Sequence, residues 1–236
     1  MYCSVYSYME IQKDISGYLN EAKHLCSRKT GEIYGYKGKL KNNYKIEVKN
    51  DVLKIENSLA TYFLGNNIET LTINQTKEAI ENMSDDLHLD MKQARLTRID
   101  FANNFIMKDP PINYFSCLLE ANKLNKNRKD STLYFSNHVR SLAFYDKTKH
   151  YQDKKLNIPE AYQNQNILRY ERRLLKAGKK KLKFEDLYKP NIFKYFLDHW
   201  KREYDSIIKN SSLQFTKEAK NMFSYKFLCA DRKSVV

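Results

Sequence analysis

The chain has 236 residues, 42% hydrophobic and 13% aromatic, enough to bury a sizeable core in one large domain or two small ones. Its longest uncharged run, residues 57–68, is too short to span a bilayer. The net charge of +14 is one-sided: residues 1–120 carry 15 Lys+Arg and 16 Asp+Glu, and residues 121–236 carry 27 and 12. Such a basic half is the electrostatic footprint of a polyanion partner. Its cations are scattered among Asn, Asp and Tyr rather than lining one amphipathic helix, which favours nucleic acid over a membrane surface. The start of the chain lacks the basic and long apolar stretches of a signal peptide. The four cysteines lie far apart without CxxC spacing and read as reduced thiols, so a cytoplasmic location is expected.

In chain order, residues 2–11 suit a strand. Residues 14–26 place Ile15, Tyr18, Leu19, Ala22 and Leu25 at helical spacing. Residues 30–32 and 37–39 are turn-like around their glycines. Residues 45–49 and 53–56 alternate cleanly and predict a hairpin about Asn50-Asp51. Gly65, Asn66 and Asn67 are loop residues. A helix is expected over 74–83, capped by Asn74 or Thr76. The acidic stretch 85–90 lacks the spacing and glycine of a calcium loop and reads as solvated. Residues 95–105 form a strand that ends at Asp109-Pro110-Pro111. Residues 114–124 suit a helix and 125–130 a polar loop. Two paired strands follow, 131–137 and 139–147, joined at 136–138. Residues 149–165 are polar, a loop or frayed helix; 166–175 alternate as a strand. A long helix spans 191–209, its aromatic residues facing the core, and a last helix is expected over 216–229. No internal repeat is visible.

Three of these strands carry polar pairs at i and i+2, opposite an apolar face. Arg98 and Asp100 lie opposite Ile99 and Phe101. Tyr145 and Lys147 lie opposite Leu142 and Phe144. Arg169 and Glu171, with Arg173 beyond them, lie opposite Leu168 and Tyr170. Side by side in one antiparallel sheet, the polar faces would assemble a single site. A phenol beside cations suits attack on a phosphodiester, because a group of pKa about 10 attacks only where its anion and the phosphate charge are stabilised. Two carboxylates suit Mg2+ or Mn2+. Plain Arg–carboxylate ion pairs are the structural alternative. Lys149, Arg173, Lys179, Lys180, Lys181 and Lys183 are basic residues near this site and candidates for DNA contact.

Four segments in order make the chain resemble the filamentous-phage gene II family, the replication-associated proteins of phages and small plasmids. They are Ser58-Leu59 through Gly65-Asn66-Asn67, Leu96-Thr97-Arg98-Ile99-Asp100, Leu142-Ala143-Phe144-Tyr145-Asp146-Lys147 and Leu168-Arg169-Tyr170-Glu171. The resemblance implies a rolling-circle initiator that nicks single-stranded or supercoiled origin DNA, stays bound as a 5′-phosphotyrosine, leaves a 3′-OH for the host helicase and polymerase, and later rejoins the strand. By position it implies Tyr145 as nucleophile, with Lys147, Arg98 and Arg169 as catalytic cations. The chemistry of the carboxylates adds Asp100 and Glu171 as metal ligands and Glu56 as a third candidate. Thr61 departs from the Lys or Arg that many members carry, and there is no His-hydrophobe-His motif. Family members also run on beyond the position of Val236, so a further C-terminal module is expected of a complete member. Tyr134 and Tyr151 are fallback nucleophiles. A water-activating metal nuclease and a non-catalytic DNA-binding regulator are the alternative functions.

The expected architecture is α+β: a mostly antiparallel central sheet, helices on one face and the site on the other. Residues 1–210 would form the initiator domain and 211–236 a helical extension.

Overall fold

Alternation of polar and apolar residues builds most of the chain into one antiparallel sheet. The structure, a computed structural model, describes residues 2–176 and 181–210. The first half supplies β1 (Tyr2–Glu10), β2 (Asn20–Cys26), β3 (Ile33–Leu40), β4 (Tyr44–Lys49) and β5 (Val52–Asn57), then α1 (Leu59–Leu64) and α2 (Ile73–Leu87). The second supplies β6 (Arg95–Met107), β7 (Leu118–Glu120), β8 (Asn125–Lys129), β9 (Thr132–Ser136) and β10 (Arg140–Asp146), followed by α3 (Lys147–Asp153), β11 (Asn166–Leu174), α4 (Pro190–Asp205) and β12 (Ile208–Lys209). Ten strands form the main sheet in the order β2-β3-β4-β5-β1-β6-β11-β10-β9-β8, and β7 pairs with β12 apart from it. The expected α+β class and antiparallel sheet are therefore present.

The strand order is mirrored about the β1–β6 boundary. Each half places its first strand at the centre and returns to it by a meander from the edge. This correspondence lies in topology, with no matching repeat in the sequence.

One face of the sheet is apolar and covered by helices. Phe101 on β6 stacks on Phe196 of α4 at 4.3 Å between ring centroids, and Tyr170 on β11 meets Trp200 at 4.8 Å and Phe144 of β10 at 4.6 Å. Burying each such ring contributes about 1.5–3 kcal/mol. Tyr62 of α1 packs edge-on against Tyr44 of β4 at 5.2 Å. Ser58 caps α1 by accepting a hydrogen bond from the Thr61 amide, a contribution of about 1 kcal/mol, and Gly65 ends the helix in the left-handed region. The opposite face is polar. A small second core of Ile68, Tyr151 and Ile167 roofs one end of it.

Several local expectations change. The segment 14–26 is a 3-10 turn at Ser16–Tyr18 followed by edge strand β2, because only Ile15 and Leu19 of its apolar set find the core. Gly38 lies inside β3 rather than in a turn: a Cβ there would sit 2.7 Å from Leu19 Cβ, so the glycine permits close approach. The α2 cap is Thr72, which forms a capping box with Gln75, and the helix runs on to Leu87. Residues 114–124 split into a 3-10 segment (Pro111–Cys117) and β7, since Tyr114, Phe115 and Leu118 bury without a continuous apolar stripe. The polar loop 125–130 is edge strand β8, exposed along its whole length and therefore without alternation. The helix expected over 216–229 lies outside the described residues.

Candidate active site

Backbone register brings the three polar strand faces together. β11 lies between β6 and β10, with Arg173 opposite Asp100, Arg169 opposite Asn104, and Tyr145 opposite Arg169. On β6 the small Ala102 separates Asp100 from Asn104 and stands opposite Glu171. The side chains on this face line a cavity of about 400 Å³, with Tyr6, Glu56, Asn67, Arg98, Asp100, Tyr145, Lys147, His150, Lys154, Arg169, Glu171 and Arg173 among its walls.

Tyr145 donates to Glu171 Oε2 at 3.2 Å, and the same oxygen accepts from Arg169 Nε at 3.2 Å. The other Glu171 oxygen accepts from Arg173 Nε. Asp100 is gripped by the fork of Arg98, with both nitrogen–oxygen distances 2.7 Å. Arg98 in turn lies over the Tyr6 ring, 4.3 Å from its centroid.

Lys147 is not on a strand face. β10 ends at Asp146, which accepts from the Lys149 amide and caps α3, so Lys147 opens that helix. Its side chain still turns into the site. It is 1% exposed, lies 5.8 Å from the Tyr145 ring centroid, and donates from Nζ to Asn67 Oδ1 at 2.7 Å.

Asn67, which reads in the sequence as a loop residue at the end of the first family-like segment, organises this corner. Its Oδ1 also accepts from the Tyr151 hydroxyl at 2.8 Å, and its amide donates back to that hydroxyl at 3.0 Å. Its carbonyl accepts from Arg169 Nη1 at 2.9 Å. One loop residue thereby ties α3 to β11. The left-handed Gly65 before it is the available signal, marking a fixed turn rather than a flexible one. Tyr151 is buried by these contacts. Tyr134 lies beside the site, its ring 5.6 Å from the Arg173 guanidinium carbon.

Not every expected residue joins the cavity. Glu56 reaches its wall from β5. Lys149 and Lys181 are exposed outside its lining. Lys183 donates to Gln93 Oε1 near the start of β6, at the far end from Phe105. Lys179 and Lys180 lie outside the described residues. Among the described residues, no group of three or more His, Cys, Asp or Glu is gathered to hold a metal ion.

Electrostatics divide the two carboxylates. Burial, then the nearby Glu171 anion, raises Asp100 from 3.8 to about 6 despite Arg98. Burial alone would also raise Glu171, but Arg173 and Arg169, with Lys147, hold it down at about 2. His150 lies with its ring centroid 5.5 Å from that of Tyr145; burial, then Lys147 and Lys154, depress it to about 4, so it is neutral at pH 7. The walls carry five basic side chains and three acidic ones, a balance suited to a phosphate.

A family model described as the N-terminal part of the phage replication-associated protein, the gene II product, matches residues 5–208. The chain belongs to that family. No curated protein matches it. The matched span takes in every residue that lines the cavity. As a family member the protein is a phage replication-associated initiator, with DNA as its class of partner. No helix among the described residues is long and apolar enough to cross a membrane.

Proposed function

We propose that this member of the gene II family nicks one strand of origin DNA and rejoins it through a covalent bond to Tyr145. The observation that carries this reading is the Tyr145 hydroxyl held at 3.2 Å from Glu171, in one cavity with Lys147 and Arg169. In the proposed step Tyr145 Oη bonds to phosphorus, the P–O3′ bond breaks, and the 3′-oxygen leaves as a hydroxyl after taking up a proton. Glu171, already ionised, orients the phenol. The phenolic proton is released along the hydrogen bond to Glu171 Oε2, the acceptor within reach of the hydroxyl, while His150 lines the cavity as an uncharged neighbour. Lys147, Arg98 and Arg169 offset the charge that grows on the phosphoryl oxygens. The phosphotyrosine bond conserves the energy of the broken ester, so the reverse step rejoins DNA without ATP.

Hard carboxylate oxygens on adjacent strands have the chemistry that Mg2+ or Mn2+ requires. Asp100 and Glu171, with Glu56 on the cavity wall, are the residues that would hold such an ion in competition with their arginines. The ion would supply polarisation of a phosphoryl oxygen.

The test is a labelled single-stranded origin oligonucleotide incubated with the protein and Mg2+ or Mn2+, then run under denaturing conditions. A protein–DNA band that disappears with Tyr145→Phe is the expected result. Cleavage without any covalent band would transfer the attack to water and overturn the reading.

A further inference from the structure

The first half of the chain has almost balanced charge, yet its sheet does not. Strands β2 to β5 carry six lysines and three glutamates. Register puts these lysines on the polar face: Lys37 stands opposite Lys23 and Glu47, Lys39 opposite Lys45, and Lys54 opposite Glu47. The alternate residues Ile46, Val48, Leu53 and Ile55 are buried beneath the helices. Lys39 pairs with Glu21 at 2.7 Å and Lys49 with Glu47 at 2.6 Å. Lys23, Lys37, Lys45 and Lys54 are exposed, with no carboxylate at ion-pair distance among the described residues. They line a second cavity of about 410 Å³.

This cavity and the Tyr145 cavity share a wall, Glu56, and open on the same face of the sheet. Between them runs β1, which places Tyr8 opposite Lys54 and Tyr6 opposite Glu56. A row of backbone-tracking cations with aromatic side chains alongside is the pattern that holds a single strand without reading its sequence. Crossing from β5 to β2 covers three strand spacings, roughly 14 Å, which is several phosphates of path.

We infer that the lysine face of β2–β5 is a track for the single-stranded DNA flanking the phosphodiester at Tyr145. The inference rests on DNA occupying the Tyr145 cavity, but it does not require the covalent step. It also moves the main strand contact from the basic second half of the chain to the balanced first half.

Binding of a fluorescent single-stranded oligonucleotide across a salt series tests it. Single strands give a slope of about 0.7 in log Kd against log salt per neutralised phosphate. The triple variant Lys37→Gln, Lys45→Gln, Lys54→Gln should weaken binding equally for unrelated sequences and lower the slope by about 2. All three side chains are exposed, and an unchanged circular dichroism spectrum controls for folding. The pair Lys77→Gln, Lys92→Gln, outside the track, should leave the slope unchanged. Wild-type affinity and slope in the triple variant, or no binding by the wild-type chain, would overturn the inference. A lowered slope with no covalent adduct under any condition would leave the track standing and remove the nicking reading. An adduct with an unchanged slope would do the reverse.

Discussion

Tyr145 and Glu171 are joined by a hydrogen bond of 3.2 Å although they are not directly opposed across β10 and β11; Tyr145 faces Arg169, and Glu171 faces Ala143. The diagonal contact depends on the small side chain of Ala143 and on Arg169 sharing the same carboxylate oxygen.

Replacing Tyr145 by Phe removes the hydroxyl and little else, since the ring keeps its place beside His150. Covalent adduct formation should fall by about 10³-fold or more, with a stability change of about 1 kcal/mol and unaltered DNA affinity. Tyr134→Phe should keep its activity. Tyr151→Phe breaks the contacts to Asn67, and should lose about 1–3 kcal/mol while still forming adduct. Adduct yield on denaturing gels and urea midpoints separate these three outcomes. An active Tyr145→Phe protein would pass the nucleophile's role to Tyr134.

The alternation that predicts β6, β10 and β11 is a local property, and all three strands with both their faces are legible in the sequence. So is the β4–β5 hairpin, whose Asn50 and Asp51 both adopt positive φ as the tight turn demands. Legibility fails where burial is partial. In residues 14–26 the apolar residues stand at helical spacing, but Tyr18 is 40% exposed and only Ile15 and Leu19 reach the core, so the period reports no buried helix face. The contacts of Asn67 are not legible at all. Its partners Lys147 and Arg169 lie 80 and 102 positions away, and no periodicity reports such a distance. Lys147 joins the site that alternation indicates but reaches it from a helix, because Asp146 acts as a cap inside what reads as a continuous strand.

Asp100 and Glu171 should give stability opposing slopes with pH. Asp100 titrates at about 6 when folded and near 3.8 when unfolded, so the folded state holds its proton more tightly. Its ionisation therefore costs stability as pH rises from about 4 to 6, by on the order of 3 kcal/mol. Glu171 is displaced the other way, to about 2, and its contribution is present above about 4.5 and lost as pH falls toward 2. Urea midpoints between pH 4.5 and 7 should decline in the parent, and that decline should flatten in Asp100→Asn. If adduct formation needs the Asp100 anion, its rate should drop about tenfold per pH unit below 6.

Arg98 is the counterion that makes an ionised Asp100 tolerable. With its side chain 25% exposed and that of Asp100 2% exposed, the pair is partly wet on one side only. Arg98→Ala strands the carboxylate and should cost about 3–5 kcal/mol at pH 7. Below pH 6 the penalty should shrink, because protonated Asp100 needs no counterion. Arg98→Lys keeps the charge and loses the fork, for about 1–2 kcal/mol. Thermal melts of both variants at pH 5 and 7 measure the difference; a pH-independent loss in Arg98→Ala would mean that packing against Tyr6, not charge, is the larger role.

Asn67→Ala removes one acceptor from Lys147 and from Tyr151 while leaving the backbone carbonyl that holds Arg169. Lys147 is buried, so its ammonium loses a hydrogen bond that water cannot readily replace, a cost of about 1.5–3 kcal/mol. Activity should suffer more than affinity, since the DNA contacts remain and only the placement of the cation beside Tyr145 is loosened. A fall of about 10²-fold in the adduct-forming rate at saturating DNA, with Kd within a factor of about three, is the expected split. Asn67→Asp offers a separate check. It restores an acceptor to Lys147, with a charge beside an already basic cluster, and should recover stability toward the parent. If Asn67→Ala instead weakens DNA binding and leaves the saturated rate intact, Asn67 contacts the strand directly and its bonds to Lys147 and Tyr151 are incidental to the chemistry.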